Sequence, residues 1–213
     1  MPERLFPPQE GHPERKGAEP VTGKDWKRVY RADLCATGLE NSGLLRHLRD
    51  RRFKFYKSLR KTEYYTNCRR DLLGRVLGKL LRFRHDLLCA KYNWTIPINV
   101  FDEGLAIVHI GTIVVSGSAR VGKNCRIHVC TNIGHAPSKE GAGAPTLGDN
   151  VYIGPGAKLF GAIHIGSNTA IGANAVVCSS FPEGSCSIGG IPAKKISDKT
   201  SLPYIRGLSP EQP

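Results

Sequence analysis

From Thr146 onward the chain repeats every six residues. Leu147, Ile153, Leu159, Ile165, Ile171 and Val177 are six apart without a slip, and glycine follows at 148, 154, 166 and 172. The position four after each aliphatic is Val151, Ala157, Ile163, Thr169 or Ala175, all small or β-branched. The same frame runs upstream through Val115, Val121, Ile127 and Ile133. A period of six fits neither the 3.6 of a helix nor the 2 of a lone strand. It predicts a solenoid in which each hexad forms one flat face and three hexads close one coil. The aliphatic then points into the core and the following glycine eases the turn between faces. Ile133 and Leu147 are fourteen residues apart, two more than two hexads, and "GHAPSKEGAGAPT" between them has no aliphatic anchor. That stretch predicts a loop thrown out of the solenoid over 134–146, a common place for function on a rigid scaffold.

The rest of the chain reads differently. The composition changes abruptly after Tyr92, where basic residues thin out and Gly, Ile, Val and Ala take over. Before it, 31–92 reads as a basic helical region. Leu45, Leu48, Phe53, Tyr56 and Leu59 fall close to helical spacing, as do Leu72, Val76, Leu80, Phe83 and Leu87, with Asp71 placed to cap the second series. The net charge is +13, and fifteen Lys/Arg against four acids lie between Arg46 and Lys91. Such a block suits solvated helix faces or an anionic partner. Residues 1–30 are Pro-rich and polar with no apolar signal core, which predicts a disordered segment. No apolar run reaches the ~18 residues of a membrane span, so a cytoplasmic protein is expected. The seven cysteines form no CxxC pair, which argues for reduced thiols over a disulfide framework or a zinc site. The solenoid domain is expected over 93–196, and 197–213 as a polar C-terminal tail.

The segments "GLAIVHIGTIVV", "GDNVYIGPGAKLFGAIHIG", "AIGANAVV" and "GGIPAKKI" resemble the hexapeptide-repeat acyltransferases. Within them the chain looks most like serine acetyltransferases and the O-acetyltransferases of bacterial surface polysaccharides. The match runs from about Asn99 to Ile196. The resemblance implies a mainly β fold, a left-handed parallel β-helix behind a small helical region. It also implies acetyl-CoA as co-substrate, a small hydroxyl acceptor (L-serine or a sugar), and a homotrimer, with a dimer of trimers as a further step. It places the general base at His109. A neutral imidazole suits proton removal from an attacking hydroxyl. Counting back six from Val115 also lands on His109, a slot where an aliphatic belongs. Two departures from the family stand out: Val108 stands where its Asp precedes the base, and Gly143 and Ala144 stand where its Arg and His hold serine. The tail lacks the C-terminal isoleucine by which serine acetyltransferases dock onto their cysteine-synthesis partner, so no such complex is expected.

Other candidates follow from position. His128 is nineteen residues after His109, about one coil, and so lies one rung along. His135 opens the predicted loop. His164 is expected at the surface. The resemblance suggests that coenzyme A lies in a groove between subunits along the C-terminal coils. Small residues at Gly156, Ala157 and Ala173 would let it approach the backbone, and Lys158, Lys194 and Lys195 would meet its phosphates. The histidine spacing does not match a three-histidine zinc site, so no metal is expected. The competing class is a non-enzymatic module whose basic helices bind nucleic acid or membrane. The helices carry no recognition motif and the coils no aromatic stacking surface, so no nucleic-acid partner is expected.

Overall fold

The computed structural model describes residues 25–138 and 141–208. Helices come first along the described chain: α1 (Asp25–Thr37), α2 (Leu44–Arg49), α3 (Arg51–Asn67) and α4 (Leu72–Tyr92). Short strands then wind into a parallel helix of three faces. The Ile127 face stacks Ala106–Ile107, Arg126–Ile127, Tyr152–Ile153, Ala170–Ile171 and Ser187–Gly190. The Ile133 face stacks Trp94–Thr95, Ile113–Val115, Thr131–Gly134, Lys158–Phe160 and Val176–Val177. The Val121 face stacks Arg120–Val121, Thr146–Leu147 and His164–Ile165. Partners one coil apart are eighteen residues apart, as in Ile153↔Ile171 and Leu159↔Val177. The C-terminal end closes with an antiparallel hairpin, in which Ser187–Gly190 pairs with Ala193–Ser197.

Both predicted slots of the hexad face inward. The six aliphatics and Val151, Ala157, Ile163, Thr169 and Ala175 are all buried. The glycine after each aliphatic has a different role from the one expected. Gly148, Gly154 and Gly166 have no positive φ. They are glycine because the next coil presses against them: a Cβ on Gly154 would stand 2.7 Å from the Ala173 nitrogen. The left-handed turn conformations fall to asparagine at Asn124, Asn150 and Asn168. Their side chains form a ladder, each Nδ2 donating to the next Oδ1 at 2.9 Å. Asparagine tolerates this backbone because its amide bonds locally.

The helical region and the tail depart from the sequence reading in four places. Helix α1 begins at Asp25, so part of the segment expected to be disordered is helical; residues 1–24 lie outside the described residues. The stretch from Leu44 to Asn67 is two helices, because the Asp50 carboxylate accepts the Arg52 N–H and caps α3. Asp71 caps α4 as expected, accepting from the Gly74 N–H at 3.1 Å. The apolar series on α4, however, points outward. Gly74, Gly78, His85, Cys89 and Tyr92 make its buried face, while Leu72, Val76, Leu80, Phe83 and Leu87 are each more than half exposed. A periodic stripe shows that a helix has an apolar face, not which neighbour covers it.

The fourth departure is the tail. Expected only as a polar segment, Ser197 to Leu208 folds back along the coils. The Ser201 hydroxyl donates to the Asn150 carbonyl, Ile205 is buried, and the Tyr204 ring lies 4.7 Å from that of Tyr152. Arg206 reaches Glu40 in the helical region at 3.4 Å. Burial of Ile205 contributes roughly 1.5–3 kcal/mol toward holding this mostly polar segment against the coils.

A buried ionic knot fastens the helices to the first coil. Arg60, 1% exposed, donates to both oxygens of Asp33 at 2.7 and 3.0 Å and to Glu63 at 2.9 Å. It also donates to the carbonyls of Phe101 and Asp102 at 2.9 and 2.8 Å. Asp33 in turn accepts the N–H groups of Gly104 and Leu105. Burial raises the Asp33 pKa above the ordinary carboxylate value, with Arg60 pulling the other way.

Candidate active site

His109 lies at the corner where the chain passes from the Ile127 face to the Ile133 face. In phase, the inward anchors of the first coil are Phe101, Ile107 and Val115, paired with Val121, Ile127 and Ile133. Ile107 and Val115 are eight residues apart, so this corner holds two extra residues. The count back from Val115 therefore stops two residues short. His109 does not replace a core anchor; it stands on a lengthened corner with its side chain exposed.

The corner is clamped on both sides of the histidine. Before it, Arg52 of α3 donates to the carbonyls of Ile107 and Val108 at 3.4 and 3.2 Å. The Tyr56 hydroxyl accepts the Ile107 N–H at 2.8 Å. After it, the Trp94 indole donates to the Gly111 carbonyl at 2.8 Å, and the Cys130 N–H donates to the Thr112 carbonyl. The family's orienting carboxylate is absent at Val108. Here the backbone around the base is fixed by Arg52, Tyr56 and Trp94; from the sequence only Tyr56 was noted, as one residue of a helical stripe. Tyr56 lies fully buried, and burial raises its pKa, so it stays a neutral phenol.

His128 falls one coil along the same corner, its ring centroid 6.1 Å from that of His109. Burial, then Arg126 and His109, lower its pKa. Its Nε2 is buried without a partner among the described residues, and its ring meets Tyr152 edge-on at 5.2 Å. A neutral imidazole beside His109 avoids charge repulsion if His109 takes a proton.

The corner continues past His128 through Gly154–Gly156 and Gly172–Asn174 toward the hairpin that carries Lys194 and Lys195. This is the edge along which the coenzyme candidates were placed, and they divide. Gly156 has φ +76°, and a Cβ there would overlap Oδ1 of Asn174, so its glycine has a structural cause. Ala173 is exposed on the edge. Ala157 is turned wholly into the core; its methyl cannot line an outer groove, because the second slot of every hexad points inward. Lys158 is held by the Cys130 carbonyl, and Lys195 pairs with Asp198. Lys194 is exposed.

His135 is elsewhere. It follows Gly134 at the corner between the Ile133 and Val121 faces, one corner round the prism from His109. The predicted loop is an antiparallel hairpin, Ala136–Ser138 against Gly141–Gly143. A Cβ on Gly143 would press the Ala162 methyl at 2.9 Å, and Ala144 is buried. Neither position has room for a substrate-binding side chain. His164 is exposed, as expected. Among the described residues, no group of three or more His, Cys, Asp or Glu could hold a metal ion.

Residues 144–179 match the family described as bacterial transferase hexapeptide (six repeats). A serine acetyltransferase from Helicobacter pylori is 31% identical over 137 residues, covering 64% of this chain and 73% of that protein. The chain belongs to the serine acetyltransferase family. Another serine acetyltransferase, from Mycobacterium tuberculosis, is 37% identical over 107 residues, 50% of this chain and 46% of its own. A crystal structure of the Neisseria gonorrhoeae serine acetyltransferase superposes with a TM-score of 0.63 at 25% identity, covering 83% of this chain and 70% of that one. In this chain, the corner that carries His109 is held by a backbone clamp from Arg52, Tyr56 and Trp94.

Proposed function

We propose that this chain is an acetyl-CoA-dependent O-acetyltransferase acting on the hydroxyl of a small acceptor, with His109 as general base. L-serine is the acceptor that the names of its relatives supply, and a solved serine acetyltransferase complex with CoA supports the donor. The observation that carries the reading is the exposed His109, clamped at one end of an edge of small residues. In the reaction, a ring nitrogen of His109 takes the acceptor's hydroxyl proton as that oxygen attacks the thioester carbonyl. The tetrahedral intermediate collapses, the C–S bond breaks, and the departing thiolate takes the proton back from His109. No acyl-enzyme forms. Coenzyme A would lie along the edge that runs from His128 past Gly156 and Ala173, with Lys194 free to meet a phosphate.

In this reading the coils wind left-handed and the working unit is a homotrimer in the cytoplasm. The separation of His109 and His135 onto different corners supports it: a neighbouring subunit's hairpin corner can meet the His109 corner, whereas the chain's own cannot. The exposed apolar stripe of α4 offers a further contact through which trimers would pair. A sugar hydroxyl is the second reading. It is favoured by Gly143 and Ala144, whose packing leaves no side chain there to grip an amino acid's charged ends.

The test is release of free CoA with acetyl-CoA and L-serine or a sugar. His109→Asn should lower kcat about 10²–10⁴-fold, the usual contribution of a positioned acid or base. Full activity in that variant would overturn the assignment of the base.

A further inference from the structure

Next to His109, on the side away from the C-terminal coils, α2 and the start of α3 line an open cleft of about 630 Å³. Among the described residues, its lining includes Arg46, Arg49, Arg51 and Arg52 but only one carboxylate, Asp50. That carboxylate is already engaged: Arg52 grips it through Nε and Nη2, and it caps α3. Arg52 is also occupied by the carbonyls of Ile107 and Val108. Arg46 and Arg49 are exposed on α2, and the Arg51 guanidinium lies over the Tyr92 ring at 5.6 Å. Arg46, Arg49 and Arg51 thus line a cleft that reaches the base, with no free carboxylate in the described lining to balance them. Arginine forks match carboxylate and phosphate oxygens in pairs.

The placement also divides the site. The small-residue edge leaves His109 toward the C-terminal coils, and the arginine cleft leaves it toward the helices. A donor thioester arriving along the edge leaves the cleft for the other reactant.

We propose that Arg46, Arg49 and Arg51 form the acceptor subsite, and that it selects a hydroxyl compound carrying a carboxylate or phosphate. The inference rests on the acetyltransferase reading and names the acceptor's chemical class. The described cleft lining offers no free acid to an α-ammonium. Three cations suit the larger charge of a phosphate, so a sugar phosphate satisfies the cleft more fully than L-serine does. The subsite replaces the acceptor grip that Gly143 and Ala144 cannot provide.

The test compares CoA release with L-serine, 3-hydroxypropionate, a hexose phosphate and the parent neutral hexose. The wild-type protein is set beside Arg46→Ala/Arg49→Ala and Arg46→Lys/Arg49→Lys. Both positions are exposed, so folding should be unaffected, and a thermal melt checks this. The expected result is an anionic acceptor at least tenfold better in kcat/KM than the neutral hexose. The alanine pair should lose that advantage mainly through KM, and the lysine pair should recover part of it. L-serine and 3-hydroxypropionate leading would assign a carboxylate; the hexose phosphate leading would assign a phosphate. A neutral hexose performing equally, an alanine pair that keeps the advantage, or one that raises KM for acetyl-CoA instead would overturn the subsite. Inorganic phosphate provides a readout independent of turnover. It should raise the melting temperature of the wild type and not of the alanine pair, and an equal rise in both would also overturn the proposal. If no acceptor is turned over but the phosphate effect depends on the arginines, the acetyltransferase reading fails and the anion subsite stands.

Discussion

Removing Arg60 is the sharpest test of how the helices hold the site. Arg60→Met keeps most of the side chain's length and deletes five hydrogen bonds: two to Asp33, one to Glu63 and one each to the Phe101 and Asp102 carbonyls. It leaves Asp33 fully buried and Glu63 2% exposed, two carboxylates without their cation. Deleting one partner of a buried pair costs about 3–5 kcal/mol. At ~2–4 °C per kcal/mol for a chain of this size, the melting temperature should fall by roughly 6–20 °C. The pH dependence gives a second check. Burial already lifts the Asp33 pKa, and Arg60 opposes that lift. Without Arg60 the folded state holds a proton on Asp33 that the unfolded chain has released, so stability rises as pH falls toward the ordinary carboxylate range. Calorimetry at fixed protein concentration, at pH 7 and pH 5, reads both effects. A loss under ~1 kcal/mol, or a deficit that grows at pH 5, would refute the reasoning. So would a triple variant, Arg60→Met/Asp33→Asn/Glu63→Gln, that is no more stable than Arg60→Met, because neutralising the stranded acids should recover part of the loss.

Gly156→Ala should cost about 1–3 kcal/mol by denaturant unfolding, because the residue has φ +76° and the new methyl would overlap Asn174; an unchanged midpoint would mean the corner relaxes freely. His128 carries a lowered pKa, from burial and then from Arg126 and His109. The unfolded chain then binds the proton more readily, so stability should fall as pH drops through the ordinary imidazole value. His128→Asn should flatten that part of the stability curve, and a curve of unchanged shape would show that another group causes it.

The six-residue period largely dictated what this chain could fold into. A Leu, Ile or Val every six residues must reach a common interior, and only a coil of short flat faces puts it there. The strands and their register were therefore legible along the chain itself. The loop at 134–146 was legible for the same reason, as the one gap in the rhythm of the C-terminal coils. His109 was legible through resemblance. Its setting was not, because two extra residues between Ile107 and Val115 break the phase, and a count along the chain cannot show which corner absorbs them.

The arginine cleft, and the Arg52 side of the clamp on His109, were present in the sequence only as a basic block from Arg46 to Lys91. Composition records that guanidiniums are numerous, but neither which of them meet Asp33 or Asp50 nor which remain free around a cavity. Those assignments depend on how α2 and α3 dock on the first coil. The outward turn of the α4 stripe and the return of the tail onto Tyr152 depend on docking in the same way. Local periodicity is set by backbone geometry that every residue shares, and so it can be read along the chain. Pairings between residues dozens of positions apart are set by which surfaces meet, and only the folded structure brings those surfaces together.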